Sequence, residues 1–266
     1  MNAAEGIDYA PLAGELRRYL AQKPGNYGIC CQDLNTGKSF GIDEDEPFVQ
    51  ASCLKLAYVL YLYEQVAAGR YALEQRLAYQ SADDYSDGSG YLQYFVADGD
   101  RFTLRALAGV AITLSDNIAY RMIKRFLGAP SVLRYMTLLG MQHPEPNGEH
   151  CTTPGDMACC LRGVLNLAAR APELGARLLD DMAHPVWHYG LPLLLPDSVQ
   201  VAHKEGDLDG VANDVGIIFL PDRPYLLAIL SRDQPDVKSG FQEIARISKI
   251  IFNYHQGQIS ESGHPA

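Results

Sequence analysis

Three short stretches hold residue types that can do acyl chemistry together. Ser52 and Lys55 stand in "ASCLK", at the front of the apolar run "LKLAYVLYLYEQ". At i and i+3 on a helix their side chains share a face. A serine hydroxyl is a weak nucleophile that needs a base. A lysine serves as one when burial or a nearby cation lowers its pKa, and the greasy surroundings of Lys55 provide burial. At a helix start, the Ser52 amide can also donate to a developing oxyanion. Read alone, the pair is also an ordinary N-cap followed by a lysine that reaches solvent.

The second stretch is "LSDN", with Ser115, Asp116 and Asn117. A serine hydroxyl can relay a proton between lysine and a leaving group, and an asparagine amide can orient the lysine and hold a substrate carbonyl. Alone, it reads as a helix N-cap. The third is "HKEG" on a predicted strand. Lys204 offers charge to a substrate carboxylate, Gly206 permits close approach, and the amide of Asp207 is a second oxyanion donor. Glu205 stands between Lys204 and Gly206.

The elements that must position these residues follow from pattern. Residues 8–22 predict a helix. "NYGICCQDL" and "SFGIDEDEPF" predict two strands of a hairpin, and the helix bearing Ser52 and Lys55 comes next. Residues 70–182 read as helical, with two helices joined at "LSDN". Thr153 is the expected N-cap of a further helix, with Pro154 at its first position. "SVQVAHKEG", "NDVGIIFL" and "PYLLAILS" predict three strands, and "GFQEIARISKIIFNYH" a closing amphipathic helix. A sheet assembled from both chain ends, with a helical lobe inserted, explains this order. The expected α/β lobe is residues 1–50 with 188–256, and the helical lobe is 51–187. Residues 257–266 read as a disordered tail.

Composition narrows the function. The chain has 266 residues, 47% hydrophobic and 20% charged, as expected of a globular protein with a sizeable core. Lys plus Arg is 22 against 32 for Asp plus Glu, a net charge of −10. With no basic cluster, nucleic acid and anionic membranes are poor partners. No apolar run is long enough to span a bilayer. No secretory signal pattern opens the chain, so the expected compartment is the cytoplasm, or outside it with the leader missing. The six cysteines lack CxxC spacing and read as buried free thiols. His184 and His188 stand at i, i+4 around Pro185 without a third ligand, so neither metal nor other cofactor is expected. His203 precedes Lys204 and points to the opposite strand face. Tyr91 and Tyr94 are candidates for the cleft mouth.

The order S-x-x-K, S-D-N, K-x-G, each piece in its expected context, resembles the serine β-lactamase and penicillin-recognising superfamily. The resemblance spans about residues 8–254. "CTTPGDMACCLRGVL" is similar to the helix start after the omega loop of class A enzymes, and "NDVGIIFLPD" to the strands after K-T-G. It implies an α+β, β-lactamase-like fold: a five-stranded antiparallel sheet flanked by helices, with an inserted all-helical lobe. It implies a Ser52 acyl-enzyme formed from an amide or ester carbonyl, with Lys55 as base, Ser115 and Asn117 assisting, and Lys204 anchoring the substrate's anionic end. The substrate is then a β-lactam, another small molecule or a peptide with an amide or ester carbonyl, and the protein is expected to be a monomer.

Two departures matter. Class A enzymes deacylate with an omega-loop glutamate, and "MTLLGMQHPEPNGEHCTTP" is short for such a loop. Its acids, Glu145 and Glu149, lack the Glu-x-x-x-Asn spacing, so deacylation is expected to be slow unless one of them substitutes. Glu205 replaces the expected threonine, where it would neutralise Lys204 and repel an anion. Besides a β-lactamase-like hydrolase, a D,D-peptidase or esterase of the penicillin-binding type and a non-turnover β-lactam sensor remain open.

Overall fold

The computed structural model describes residues 7–143 and 150–262. Helix α1 (Ala10–Leu20) leads into β1 (Asn26–Asp33) and β2 (Ser39–Ile42). The single strand expected over "SFGIDEDEPF" is split in two, β2 ending at Ile42. Asp43 takes a positive φ of 46°, which ends β2, and Phe48–Val49 form a separate two-residue strand, β3. That strand pairs antiparallel with β6 (Cys151–Thr152). A 3-10 turn, Ala51–Cys53, runs directly into α2 (Leu54–Ala67).

The stretch read as helical also contains a hairpin, β4 (Arg76–Ala78) with β5 (Arg101–Thr103). Three-residue strands are too short for alternation to register in sequence. Helices α4 (Leu104–Thr113) and α5 (Asn117–Leu127) meet at "LSDN", after the short α3 (Ser81–Asp84). Next come α6 (Ala129–Leu138), α7 (Pro154–Arg170) and α8 (Pro172–Ala183). Thr153 caps α7, its side chain accepting from the Asp156 amide. The chain closes with β7 (Val201–Leu208), β8 (Val211–Ile218), β9 (Tyr225–Arg232) and α9 (Val237–Ser262). Helix α9 thus continues beyond residue 256, where a tail was expected. A single Gly257 costs a helix only about 1 kcal/mol, which does not end one anchored on a sheet.

The main sheet is antiparallel in the order β2-β1-β9-β8-β7. Its centre joins the chain ends, Asn26 pairing with Arg232 and Asp33 with Tyr225. Each face carries its own core. One, with Leu56, Leu60, Leu107, Ile123 and Leu161, packs the helical segment. The other holds Leu12, Leu16, Ile244, Ile251 and Phe252 of α1 and α9. Strand alternation sends Cys30 into the first and Cys31 into the second. Among the described residues all cysteines are free; Cys30, Cys31, Cys53 and Cys160 are buried, and Cys151 and Cys159 half-buried. No described helix is long and apolar enough to cross a membrane.

Candidate active site

The site lies where β7, an edge strand, meets the turn that starts α2. Gly206 sets the spacing: a Cβ there would lie 2.7 Å from the Ser52 amide nitrogen and 2.8 Å from that of Cys53. Only hydrogen fits between strand and turn. Ala51 and Ser115 both hold left-handed backbone, at φ 48° and 52°. Non-glycine residues there carry strain, which the surrounding fold must hold.

Lys55 is 3% exposed and reaches four atoms. Its Nζ lies 2.9 Å from Ser52 Oγ, 2.5 Å from the Ser115 carbonyl, 3.0 Å from Ser115 Oγ and 2.7 Å from Asn117 Oδ1. The Ser115 carbonyl and Asn117 Oδ1 can only accept, and a neutral amine has two N–H groups to give them. Its lone pair is then left for a serine O–H. Burial, helped by the Lys204 charge, lowers the Lys55 pKa from 10.5 to about 7. Asn117 is held in turn, its Nδ2 donating to the Asp87 carbonyl at 2.7 Å.

Ser115 Oγ also accepts from Lys204 Nζ at 3.1 Å, so one hydroxyl bridges two lysines. Asp116 explains the sharp bend. It is buried, caps α5 through the Ala119 amide, and accepts from the Tyr91 and Leu92 amides. Lys204 is buried, its pKa lowered by burial against the raising effect of nearby acids including Glu205.

Glu205 does not stand where a direct neutralising pair needs it. Lys204 Nζ donates to the main-chain oxygen of Glu205 at 2.6 Å, and among the described residues no ion pair joins the two side chains. The Glu205 carboxylate turns instead to the amides of Tyr189 and Gly190, at 2.6 and 2.9 Å. Asp214, opposite it on β8, accepts from the Leu191 amide at 2.7 Å and lies 3.0 Å from His203 Nδ1. Burial, with Asp214 adding, pushes Glu205 up to about 7. Burial works against a charged His203, but Asp214 more than offsets it and raises the histidine pKa. Ligand atoms of His203, Glu205 and Asp214 fall within 4.8 Å of one another. Three successive amides already point at the two carboxylates, the pattern of an anion nest rather than a cation site. His188 Nδ1 lies 3.5 Å from His203 Nε2, while His184 turns to Asp180.

Two cavities open on the site. One, about 920 Å³, is lined by Ser52, Lys55, Asn117, Tyr120, Lys124 and Asp207, among others. The other, about 670 Å³, is lined by Ser115, Lys204, Glu205, Trp187, Tyr189 and Phe241, among others. Tyr91, 59% exposed, and Tyr94 line neither. Glu145 and Glu149 lie outside the described residues. Sequence reading passed over Trp187, Tyr189 and Phe241. The available signal was "VWHYG", an aromatic cluster in a segment without helical or strand period.

Comparison with known proteins agrees with this fold. The model of the beta-lactamase enzyme family matches residues 11–255. A beta-lactamase of Bacillus licheniformis is 28% identical, over 93% of this chain and 85% of that protein. Among solved structures, PBP-A superposes with a TM-score of 0.86 at 25% identity, covering 93% of this chain and 97% of that one. A related structure is a PBP-A variant in an acyl-enzyme complex with penicillin G. A beta-lactamase from Sphaerobacter thermophilus gives 0.83 at 27% identity, covering 94% and 98%.

Proposed function

Because the chain belongs to the beta-lactamase enzyme family, we propose that it is a serine hydrolase acylated at Ser52 by a β-lactam or related amide or ester. The observation that carries this reading is the buried Lys55 amine, 2.9 Å from Ser52 Oγ and with its pKa lowered to about 7. Neutral Lys55 takes the Ser52 proton as Oγ attacks the carbonyl carbon. The Ser52 and Asp207 amides receive the developing oxyanion. The proton then passes from Lys55 through Ser115 to the leaving group, and Lys204 fixes the Ser115 hydroxyl. Asn117 holds both Lys55 and the acyl side of the substrate.

Hydrolysis of the acyl-enzyme is the slow step in this reading. The stretch before Thr153 is short, and its acids Glu145 and Glu149 lack the Glu-x-x-x-Asn spacing of class A deacylation. That observation also favours a second reading, a D,D-peptidase or esterase of the penicillin-binding type, or a trap that releases product very slowly. The test is to mix the protein with a fluorescent penicillin and follow intact mass and product release together. A lasting adduct on Ser52 supports slow deacylation. Rapid release without an adduct makes it an efficient β-lactamase and removes the slow step. Neither adduct nor release sinks β-lactam acylation and leaves esters and peptides.

A further inference from the structure

The two cavities divide the cleft by role. The larger is lined by Ser52, Lys55 and Asn117 but not by Ser115 or Lys204. The smaller is lined by Ser115 and Lys204 but not by Ser52, Lys55 or Asn117. Ser89, Asp207 and Val237 line both. If Ser115 Oγ delivers the proton to the departing atom, the departing group lies beside Ser115, in the smaller cavity. This step rests on the acyl-transfer reading above.

The walls of that cavity are aromatic and aliphatic. Trp187, Tyr189, Leu193 and Phe241 face it. Tyr189 is 54% exposed and Leu193 48%, so large apolar surface stands open to solvent within a few residues of the site. Tyr189 and Phe241 rings lie 6.3 Å apart at 48°, neighbours along one aromatic wall of the cavity. Charge is balanced there: Lys204 and Lys238 stand with Glu205 and Asp207. Lys204, which lines this cavity beside Ser115, is already engaged, donating to Ser115 Oγ and to the Glu205 carbonyl. The Glu205 carboxyl lines the same space, tied to the amides of Tyr189 and Gly190 that carry the aromatic wall.

We propose that the Trp187–Tyr189–Phe241 cavity is a leaving-group site for an uncharged aromatic alcohol or amine, and that Glu205 sets its preference against a carboxylate. In the reaction, Ser52 Oγ bonds to the carbonyl carbon and its proton moves to Lys55. The bond from that carbon to the leaving oxygen or nitrogen breaks. The departing atom takes the Ser115 proton, and Lys55 replaces it.

Two chromogenic esters with a common acyl group test this: 4-nitrophenyl acetate and 3-carboxy-4-nitrophenyl acetate. The expected kcat/KM favours the uncharged ester by about tenfold or more. Glu205→Gln keeps an acceptor for the two amides while removing the charge, and should narrow that ratio. Tyr189→Ala, at an exposed position, should lower kcat/KM for the uncharged ester by about three- to tenfold. Equal or faster release from the carboxylated ester would overturn the proposal, as would a ratio unmoved in both variants. Release that is identical in wild type and Ser52→Ala would instead overturn the nucleophile assignment, and the cavity's role with it.

Discussion

Replacing Lys204 by methionine should shift the pH profile of acylation upward. Both lysine nitrogens lie against Ser115 Oγ, at 3.0 and 3.1 Å, which puts them roughly 5 Å apart. Two like charges at that distance repel by about 3 kcal/mol at an effective dielectric near 20. That is about 2 pKa units on Lys55, as a ceiling. Burial, the larger cause of the shift, stays in the variant, so Lys55 remains below 10.5. Acylation needs neutral Lys55. With a pKa of about 7, roughly half the molecules qualify at pH 7; at 10.5, about one in 3000 would. The second-order acylation rate of a fluorescent penicillin, followed from pH 5 to 10, should therefore rise with a midpoint near 7 in the wild type. In Lys204→Met the midpoint should move up by about one to two units, whatever happens to the plateau. A wild-type midpoint near 10 would refute the depressed Lys55. A midpoint that stays put or falls in the variant would refute repulsion from Lys204.

Gly206→Ala places a methyl 2.7 Å from the Ser52 amide nitrogen, a backbone clash that moves β7 away, so acylation should drop by about 100-fold and stability by about 1–3 kcal/mol; an unchanged rate would show that the strand does not set the oxyanion geometry. Ala51→Gly relieves the φ of 48° and should stabilise the fold by about 0.5–1 kcal/mol in urea titration, and a loss of stability would count against strain at that turn. Glu205 has a folded pKa raised from 4.5 to about 7, so its contribution to stability is full below pH 4.5 and is lost as pH rises through 7. Glu205→Gln should accordingly gain about 1–2 kcal/mol over wild type at pH 8 and almost nothing at pH 4, and equal gains at both would exclude a buried charge as the cause.

The candidate cluster was legible because its information is local. Ser52 and Lys55 need only one helical turn, Ser115 and Asn117 only a bend, and Lys204 with Gly206 only strand alternation. Their convergence through Lys55 Nζ and Ser115 Oγ is a tertiary result, foreseeable only from the order of the three pieces. What stayed hidden depends on long-range partners. Glu205 reads as a charge beside Lys204 because neighbours in sequence say nothing of the amides of Tyr189 and Gly190. The aromatic wall draws Trp187 and Tyr189 from an aperiodic segment and Phe241 from α9, so no pattern links them. The two-residue strands β3 and β6 exist only because each finds the other across about 100 residues.

The central pairing of β1 with β9 also decides how this protein must be born. Asp33 meets Tyr225 only after the roughly 190 residues between them have left the ribosome, which at ~5–20 residues per second is a wait of roughly 10–40 s. Through that interval β1 has an unsatisfied edge and two apolar thiols, while the helical segment makes its local contacts first. The ends nevertheless finish side by side, with Tyr9 Oη 3.1 Å from His255 Nε2. A circular permutant joined there and opened at the exposed residues 98–99 would make the slowest contact a nearby one. It should refold faster and aggregate less during synthesis, with Ser52 and its partners untouched.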